Sequence, residues 1–384
     1  MGGPNGEAMN LDHVASIGDL RLIARQRIPA PVFEWLDGGA FESETLKANV
    51  DDFRALRLRQ RVMKDISARD LSATVLGQSL SMPLVISPTG MSGMVPGGDG
   101  GELMAARAAR AAGIPFTLGM MAIKSIEDLR RELDGFCFQI CMLSDRGIMR
   151  DIVERARDAG CPVLVLTMTW PILSQMNRSI RGRHARLPPR YTPASILTYA
   201  RHPRWALKTL GAMPIRFGNF VPHMAEPEIA NIVTLLDASA TWKDVEWLRG
   251  IWPGKLLVKG VMNPEDAQLA IAAGADGISV SNHGGNMLDA SSSTIAALPA
   301  VVEAVGDRAE VLLDGGIRSG QDVLKAMALG AKACLVGRAH LYGLGAAGEA
   351  GVSKALDIIR KELDISVGLT GLARVRDASP AILC

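Results

Sequence analysis

Short apolar segments alternate with amphipathic segments along most of the chain. The apolar segments are continuously hydrophobic, which is typical of strands in a parallel sheet covered on both faces. They predict strands at residues 84–87, 115–118, 136–140, 163–168, 256–259, 277–281, 310–314 and 333–336. Helical periodicity predicts helices at residues 101–112, 126–133, 146–159, 242–251, 264–273, 293–305, 321–329 and 349–362.

This order of strand-then-helix units predicts an α/β fold, a (β/α)8 TIM barrel. A doubly wound sheet is the weaker alternative, because it rarely needs so many units in this order. Residues 1–80 are predicted to form an N-terminal helical segment packed on the barrel. Residues 81–384 are predicted to form the barrel itself, with a long insertion at about 170–240, after strand 4.

Composition and charge exclude several classes of protein. With 48% hydrophobic residues, and 42 Lys+Arg against 40 Asp+Glu, the chain has neither the composition of a disordered protein nor the charge of a nucleic-acid-binding one. The odd number of cysteines predicts free thiols in a reducing cytoplasm. Cys137 and Cys141 have no second pair to complete a zinc site, so no metal is expected. Residues 1–10 lack the basic flank and apolar core of a signal peptide.

The insertion has an unusual charge pattern, because no acidic residue lies between Asp158 and Glu226. Its basic residues and histidines are Arg178, Arg181, Arg183, His184, Arg186, Arg190, Arg201, His202, Arg204, Lys208, Arg216 and His223. One interpretation is a solvated loop whose basic residues pair with acids elsewhere in the chain. The alternatives are an anionic substrate, an acidic redox partner or an anionic membrane surface. Firm membrane attachment would need more apolar residues than this loop shows, so peripheral contact is the expectation.

Polar residues follow the predicted strands at the end where TIM barrels carry their chemistry. Lys259 ends the fifth strand after three apolar residues, where it would offer a positive charge to a developing anion. Ser281 and His283 end the sixth strand, and His283 is a candidate general acid/base. An amide and two hydroxyls from earlier strands, on Gln139, Thr89 and Thr167, would complete the donors and acceptors that a flavin ring edge needs.

Glycine-rich turns follow the last two predicted strands. Such turns before helices form the usual phosphate site of a TIM barrel, and arginines there can bind a phosphate through two hydrogen bonds. Asp314 could accept a hydrogen bond from a ribityl or ribose hydroxyl. The residues of these turns are Asp314, Gly315, Gly316, Arg318, Gly337 and Arg338.

Together, the segments 36–40, 87–90, 138–139, 257–260, 280–285, 313–318 and 336–338 resemble the FMN-dependent 2-hydroxy-acid oxidase/dehydrogenase family. That family includes glycolate oxidase, lactate oxidase and mandelate dehydrogenase. The resemblance covers nearly the whole chain, and only 172–225 is loosely matched. Residues 282–286 are similar to the branch that contains pre-mycofactocin synthase.

The resemblance implies FMN as cofactor, with Lys259 beside flavin N1 and His283 as the catalytic base. It also implies a homo-oligomer, a tetramer, and leaves oxygen, a quinone or a carrier protein open as electron acceptor. The implied FMN-binding residues are Pro88, Thr89, Gly90, Gln139, Thr167, Lys259, Ser281, Asp314, Gly315, Gly316, Arg318, Gly337 and Arg338.

The substrate side departs from the family pattern. Asn286 and Met176 stand where the family has carboxylate-binding arginines, and Phe33 and Cys141 where it has tyrosines. Thr169 stands at the aspartate that orients the histidine. The expected substrate pocket comprises Phe33, Met91, Cys141, Thr169, Met176, His283 and Asn286. Further methionines near the strand ends either fill the core or extend an apolar pocket: Met94, Met120, Met121, Met142 and Met168.

Three functions remain open from the sequence. The first is FMN-dependent oxidation of a CH–OH or CH–NH2 group in a substrate other than a simple small 2-hydroxy acid. The second is conventional 2-hydroxy-acid oxidation, with Arg178, Arg181 or Arg183 as a relocated carboxylate anchor. The third is a flavin isomerase or a non-redox FMN-binding protein, which the retention of both Lys259 and His283 disfavours.

Overall fold

The computed structural model describes residues 10–182 and 193–384. Its strands are β1 (Ala73–Val75), β2 (Gln78–Leu80), β3 (Leu84–Ile86), β4 (Thr117–Gly119), β5 (Cys137–Cys141), β6 (Val163–Thr167), β7 (Lys255–Val261), β8 (Gly277–Ser281), β9 (Glu310–Asp314) and β10 (Ala333–Val336). Strands β3 to β10 form one parallel sheet in the order β3-β10-β9-β8-β7-β6-β5-β4. A parallel bridge between Ile86 and Phe116 joins its two edges. The predicted (β/α)8 barrel is therefore confirmed.

Helices lie before, between and after these strands. In the described chain they are α1 (Ile17–Arg27), α2 (Ala30–Asp37), α3 (Glu44–Ala55), α4 (Gly101–Ala111), α5 (Ile126–Arg130), α6 (Arg146–Asp158), α7 (Asn177–Arg181), α8 (Pro193–Ala200), α9 (Pro203–Gly211), α10 (Ile229–Ile232), α11 (Trp242–Ile251), α12 (Pro264–Ala272), α13 (Thr294–Val305), α14 (Gly320–Ala328) and α15 (Arg338–Leu369). Helix α15 is interrupted at Ala347 and Gly348, whose backbone is not helical.

Most predicted strands and helices match to within a residue or two, and α5 and α15 differ by more. Strand β4 begins at Thr117, two residues after the predicted start, and the preceding Phe116 and Pro115 contact β3 only through an isolated bridge and a hydrogen bond to Ile86. Helix α5 ends at Arg130, short of the predicted residue 133. Helix α15 begins at Arg338, almost directly after β10, and not at the predicted residue 349.

A β-hairpin, β1–β2, lies within the segment predicted to be helical. Leu76 and Gly77 form its turn with φ angles of 48° and 76°, and the Leu76 N–H donates to the Glu310 carboxylate at the start of β9. Val75 and Leu80 pack on barrel residues such as Leu257 and Leu312. The hairpin therefore covers the end of the barrel opposite the carboxyl ends of the strands.

The described part of the segment between β6 and α11 lies over the other end of the barrel. Helix α9 is anchored there by Trp205, whose indole N–H donates to the carbonyls of Met94 and Val95 in the loop after β3. Asn219, which is fully buried, accepts a hydrogen bond from the Ile126 N–H and donates to the Met120 carbonyl. The insertion is thus fastened to the loops that surround the strand ends.

We predict that Gly320→Ala destabilises the fold. A Cβ at Gly320 would lie 2.1 Å from the Leu363 nitrogen and 2.3 Å from the Ile359 carbonyl oxygen, where α14 meets α15. Overpacking of this kind costs about 1–3 kcal/mol in the free energy of unfolding. Urea unfolding of the apoprotein measures it. Gly250→Ala is the control, because a Cβ in that helical position meets nothing within 4 Å. Equal stability of the two variants would contradict the prediction.

Candidate active site

Five polar side chains stand at the carboxyl ends of neighbouring strands. They belong to successive strands from β5 to β9, and all are buried: Gln139, Thr167, Lys259, Ser281 and Asp314. The strand register places Thr167 beside Lys259 and Ser281 beside Asp314. The barrel therefore gathers side chains that are far apart in the sequence into one polar layer.

The centre of this layer is an ion pair between Lys259 and Asp314, with 2.7 Å between Nζ and Oδ2. Ser281 accepts a hydrogen bond from Lys259 and donates one to Asp314, at 3.1 and 2.8 Å. Burial acts to raise the pKa of Asp314, but the charge of Lys259 and these hydrogen bonds hold it below its usual value. Asp314 is therefore ionised and pairs with the Lys259 ammonium group at the base of the site.

His283 stands directly above this layer in a strained backbone conformation. Its φ is 55°, which is rare for a residue with a side chain, and its N–H donates to the Ser281 hydroxyl. Its Nδ1 lies 2.8 Å from the Thr169 hydroxyl oxygen. Desolvation, followed by the charge of Lys259, lowers the pKa of His283 to about 3. The imidazole is therefore neutral, and it is a weaker base than an ordinary histidine.

A cavity of about 310 Å³ opens above these residues. It is lined by most of the site residues expected from the sequence, which are Pro88, Thr89, Gly90, Met91, Gln139, Cys141, Thr167, Met176, Lys259, His283, Asn286, Asp314, Gly315, Gly316, Arg318, Gly337 and Arg338. Ser281 and Thr169 are not part of the lining, but they contact its residues Lys259 and His283.

Phe33 does not line the cavity, contrary to expectation. It is buried in the core with the Arg21 guanidinium 5.8 Å from its ring centre. Trp35 and Leu36 from the same helix line the cavity instead, while the Phe33 ring is turned into the core. Of the five further methionines, only Met121 reaches the lining.

Several lining residues were missed from the sequence. They are mainly apolar residues from α2, from the insertion and from the loop after β8: Trp35, Leu36, Trp170, Leu173, Ile229, Met287 and Leu341. Trp170 directly follows Thr169, so its place after β6 was a signal that could have identified it. The others depend on how separate segments fold over the barrel.

Arg338 makes contacts that its expected phosphate role does not explain. Its guanidinium donates to the carbonyls of Leu36, Gly38 and Gly284 and to the Asn286 amide oxygen. These bonds use four of its five N–H groups, so one N–H of Nη1 remains for a ligand. Asn286, which by resemblance stands where the family has a carboxylate-binding arginine, thus accepts a hydrogen bond from Arg338.

The arginine-rich start of the insertion is paired with acids outside it. Arg178 donates to Asp37 at 2.9 Å, and Arg181 to Glu42 at 2.6 Å. Neither side chain lines the cavity. Arg183, His184, Arg186 and Arg190 lie outside the described residues.

The site fits FMN by the chemistry of its groups. At one end, Arg318 and Arg338 bring two positive charges together, and burial together with the charge of Arg318 lowers the pKa of Arg338 to about 10. A phosphate would relieve this repulsion. At the other end, an amide, a hydroxyl and an ammonium group from Gln139, Thr167 and Lys259 match the polar edge of a flavin ring.

Comparison with known proteins agrees with this site. Residues 24–384 match the family of FMN-dependent dehydrogenases. The L-lactate dehydrogenases of Alcaligenes faecalis and Caulobacter vibrioides are each 41% identical to this chain, over 96% of its length and 98% and 97% of theirs. A crystal structure of the monotopic membrane protein (S)-mandelate dehydrogenase superposes with a TM-score of 0.93 and 38% identity, over 97% of this chain and all of that one.

The chain belongs to the FMN-dependent dehydrogenase family, which is the family of 2-hydroxy-acid oxidases and dehydrogenases identified from its motifs. It is an FMN-dependent oxidoreductase, and FMN is its cofactor. The particular resemblance of residues 282–286 to the pre-mycofactocin synthase branch stays a prediction.

We predict that Thr169→Asp raises the pKa of His283. A carboxylate beside Nδ1 would stabilise the imidazolium, whereas the present hydroxyl carries no charge. The expected increase is about one to three pH units. Carbon-13 NMR of labelled histidine in the apoprotein measures it, and His283→Asn assigns the signal. Thr169→Val is the control and should bring no increase. An unchanged pKa in the aspartate variant would contradict the electrostatic account of this pair.

Proposed function

We propose that this protein oxidises a CH–OH or CH–NH2 group of an organic substrate that is not a simple small 2-hydroxy acid. The observation that carries the proposal is the uncharged substrate side of the cavity. Cys141, Met176 and Asn286 stand there in place of the family's anchors, among apolar neighbours such as Trp35 and Trp170. The Arg338 guanidinium beside Asn286 already bonds to three carbonyls and to that amide, so a carboxylate bound against these residues would lose its hydration with little cationic compensation.

His283 and Lys259 are the proposed catalytic residues. Neutral His283 would take the proton of the substrate hydroxyl or amine, with Thr169 holding Nδ1 so that Nε2 can accept it. Lys259 would stabilise negative charge that develops at the base of the cavity. FMN, when bound, supplies the hydride acceptor. The roles of the remaining cavity residues in binding FMN are proposed from their placement and chemistry.

Conventional 2-hydroxy-acid oxidation is the second candidate. The names of the relatives support it, because proteins called L-lactate dehydrogenase share 41% of their residues with this chain. It would need a relocated anchor. The ion pairs of Arg178 and Arg181 with Asp37 and Glu42 argue against those two arginines as the anchor.

We predict that lactate, glycolate and mandelate do not reduce the bound flavin rapidly. Purified holoenzyme is mixed with each acid without oxygen, and flavin absorbance is followed. Uncharged counterparts of similar shape, such as the amides of lactate and mandelate, serve as matched probes. Rapid bleaching by any of the three acids would overturn the proposal and favour the second candidate. Loss of that bleaching in Arg178→Ala or Arg181→Ala would then identify the relocated anchor.

We also propose that the protein contacts anionic membranes through α9. The outer side of this helix exposes Leu207 and Leu210, at 70% and 69%, and Met213 follows at 53%. Arg204 and Lys208 flank them, and both are exposed. Apolar side chains between basic ones are typical of helices that lie in a membrane interface. Cytoplasmic location and a tetrameric assembly remain predictions.

None of the helices in the described ranges combines the length and apolar character needed to cross a bilayer. The similar (S)-mandelate dehydrogenase is described as a monotopic membrane protein. The absence of a membrane-spanning helix from the described ranges and the monotopic character of that relative are both compatible with contact at the membrane surface. A quinone acceptor would suit such a location, while oxygen and a carrier protein stay open.

We predict that Leu207→Asp combined with Leu210→Asp weakens binding to vesicles of phosphatidylcholine with 30% phosphatidylglycerol at least about tenfold, because two apolar contacts are lost. Cosedimentation measures it. Leu269→Asp is the matched control, since Leu269 is also exposed, at 46%, but lies on α12 of the barrel wall. Equal sedimentation of the double variant and the original protein would contradict membrane contact through α9.

A further inference from the structure

Asp37, at the end of α2, gathers four elements at one buried carboxylate. It accepts two hydrogen bonds from Arg21 of α1, one from Arg178 of α7 and one from the Tyr342 hydroxyl of α15. Only 5% of Asp37 is exposed. The Asp37 cluster, which comprises Arg21, Asp37, Arg178 and Tyr342, lies beside the cavity and has no place in the proposed chemistry.

One side of the cluster leads to the phosphate end of the cavity. The Arg318 guanidinium lies 5.8 Å from the centre of the Tyr342 ring, an arrangement that stabilises the cation over the aromatic face. Arg338 of the same end donates to the carbonyls of Leu36 and Gly38, on either side of Asp37. Both cationic side chains that would meet the phosphate are therefore joined to α2.

The other side of the cluster leads to the substrate side of the cavity, where Met176 forms part of the wall. Arg178 lies two residues after Met176, which lines the cavity and packs against Gly38. The chain around Met176 is further joined to the α2 end by a hydrogen bond from the Phe41 N–H to the Gln175 carbonyl. The position of this wall therefore depends on how Asp37 holds α7.

Burial makes the cluster resistant to rearrangement. Desolvation acts to raise the pKa of Asp37, but Arg21, Tyr342 and Arg178 lower it to about 2. A buried carboxylate that lost one of these donors would have little water to replace it. Tyr342 and Arg178 therefore share one buried carboxylate, through which a shift of one can act on the other.

We propose that Asp37 is a positioning residue that couples occupation of the phosphate end to the position of the substrate wall formed by α7. A phosphate bound at Arg318 and Arg338 restrains Tyr342 and α2, and the Asp37 cluster passes this restraint to Arg178 and Met176. The inference rests on the proposed placement of the FMN phosphate. It concerns how firmly α7 is held in this wall, and it does not depend on which substrate the cavity binds.

Hydrogen exchange of α7 tests this coupling. The amides of Ile180 and Gly182 donate to the carbonyls of Met176 and Arg178, so their exchange reports on this helix. Exchange is measured in the apoprotein, with saturating FMN and with saturating riboflavin, which lacks the phosphate. Flavin fluorescence titration establishes saturation in each case. We expect FMN to slow exchange of these amides at least about fivefold more than riboflavin does.

Two variants break the path and one leaves it intact. Tyr342→Phe removes the bond to Asp37 but keeps the ring beside Arg318, and Arg178→Gln removes the link to α7. Both should abolish the difference between FMN and riboflavin while FMN still binds. Glu42→Gln is the matched control, because it cuts the Arg181 ion pair of the same helix and should keep that difference.

Equal protection by FMN and riboflavin in the original protein would overturn the proposal, as would an FMN-specific effect that survives in both Tyr342→Phe and Arg178→Gln. No substrate is present in these experiments. Reduction of the flavin by hydroxy acids would overturn the proposed function, but it would not change the hydrogen-exchange result expected here.

Discussion

The ion pair between Lys259 and Asp314 is the interaction on which the active site depends. Two opposite charges are buried at the carboxyl ends of β7 and β9, and Ser281 on the strand between them bonds to both. Removing either charge would leave the other uncompensated in a desolvated place, which typically costs about 3–5 kcal/mol. Desolvation, followed by the charge of Lys259, lowers the pKa of His283, whereas Asp314 acts to raise it. Lys259 thus bears both on the stability of the site and on the protonation state of the base.

The two ends of the cavity differ in the charge of the side chains that line them. The phosphate end concentrates Arg318 and Arg338, whereas the substrate end has apolar side chains and one amide, Asn286, that Arg338 already engages. An anion is therefore stabilised at one end and poorly stabilised at the other. This asymmetry is the ground for proposing a substrate other than a simple hydroxy acid, although the cofactor is that of the relatives named L-lactate dehydrogenase.

Much of the architecture could be predicted because its signals are local. Continuous apolar runs and glycine turns placed β8, β9 and β10 at their observed bounds. The hairpin β1–β2 was missed, since its strands are three residues long and their burial comes from contact with the barrel end. Phe33 was misplaced for a related reason: matching a residue to a family position does not tell which way its helix turns it.

The sequence alone determined the order of the elements, the family and the chemical groups at the strand ends, because period, spacing and motif residues are properties of the chain itself. Only the tertiary structure decided which groups were already engaged. Arg178, free to bind a substrate as far as the sequence could tell, pairs with Asp37, and Arg338 joins α2 to the loop after β8. Such pairings bring together residues that are 54 to 302 positions apart, and long-range packing alone sets which donor reaches which acceptor.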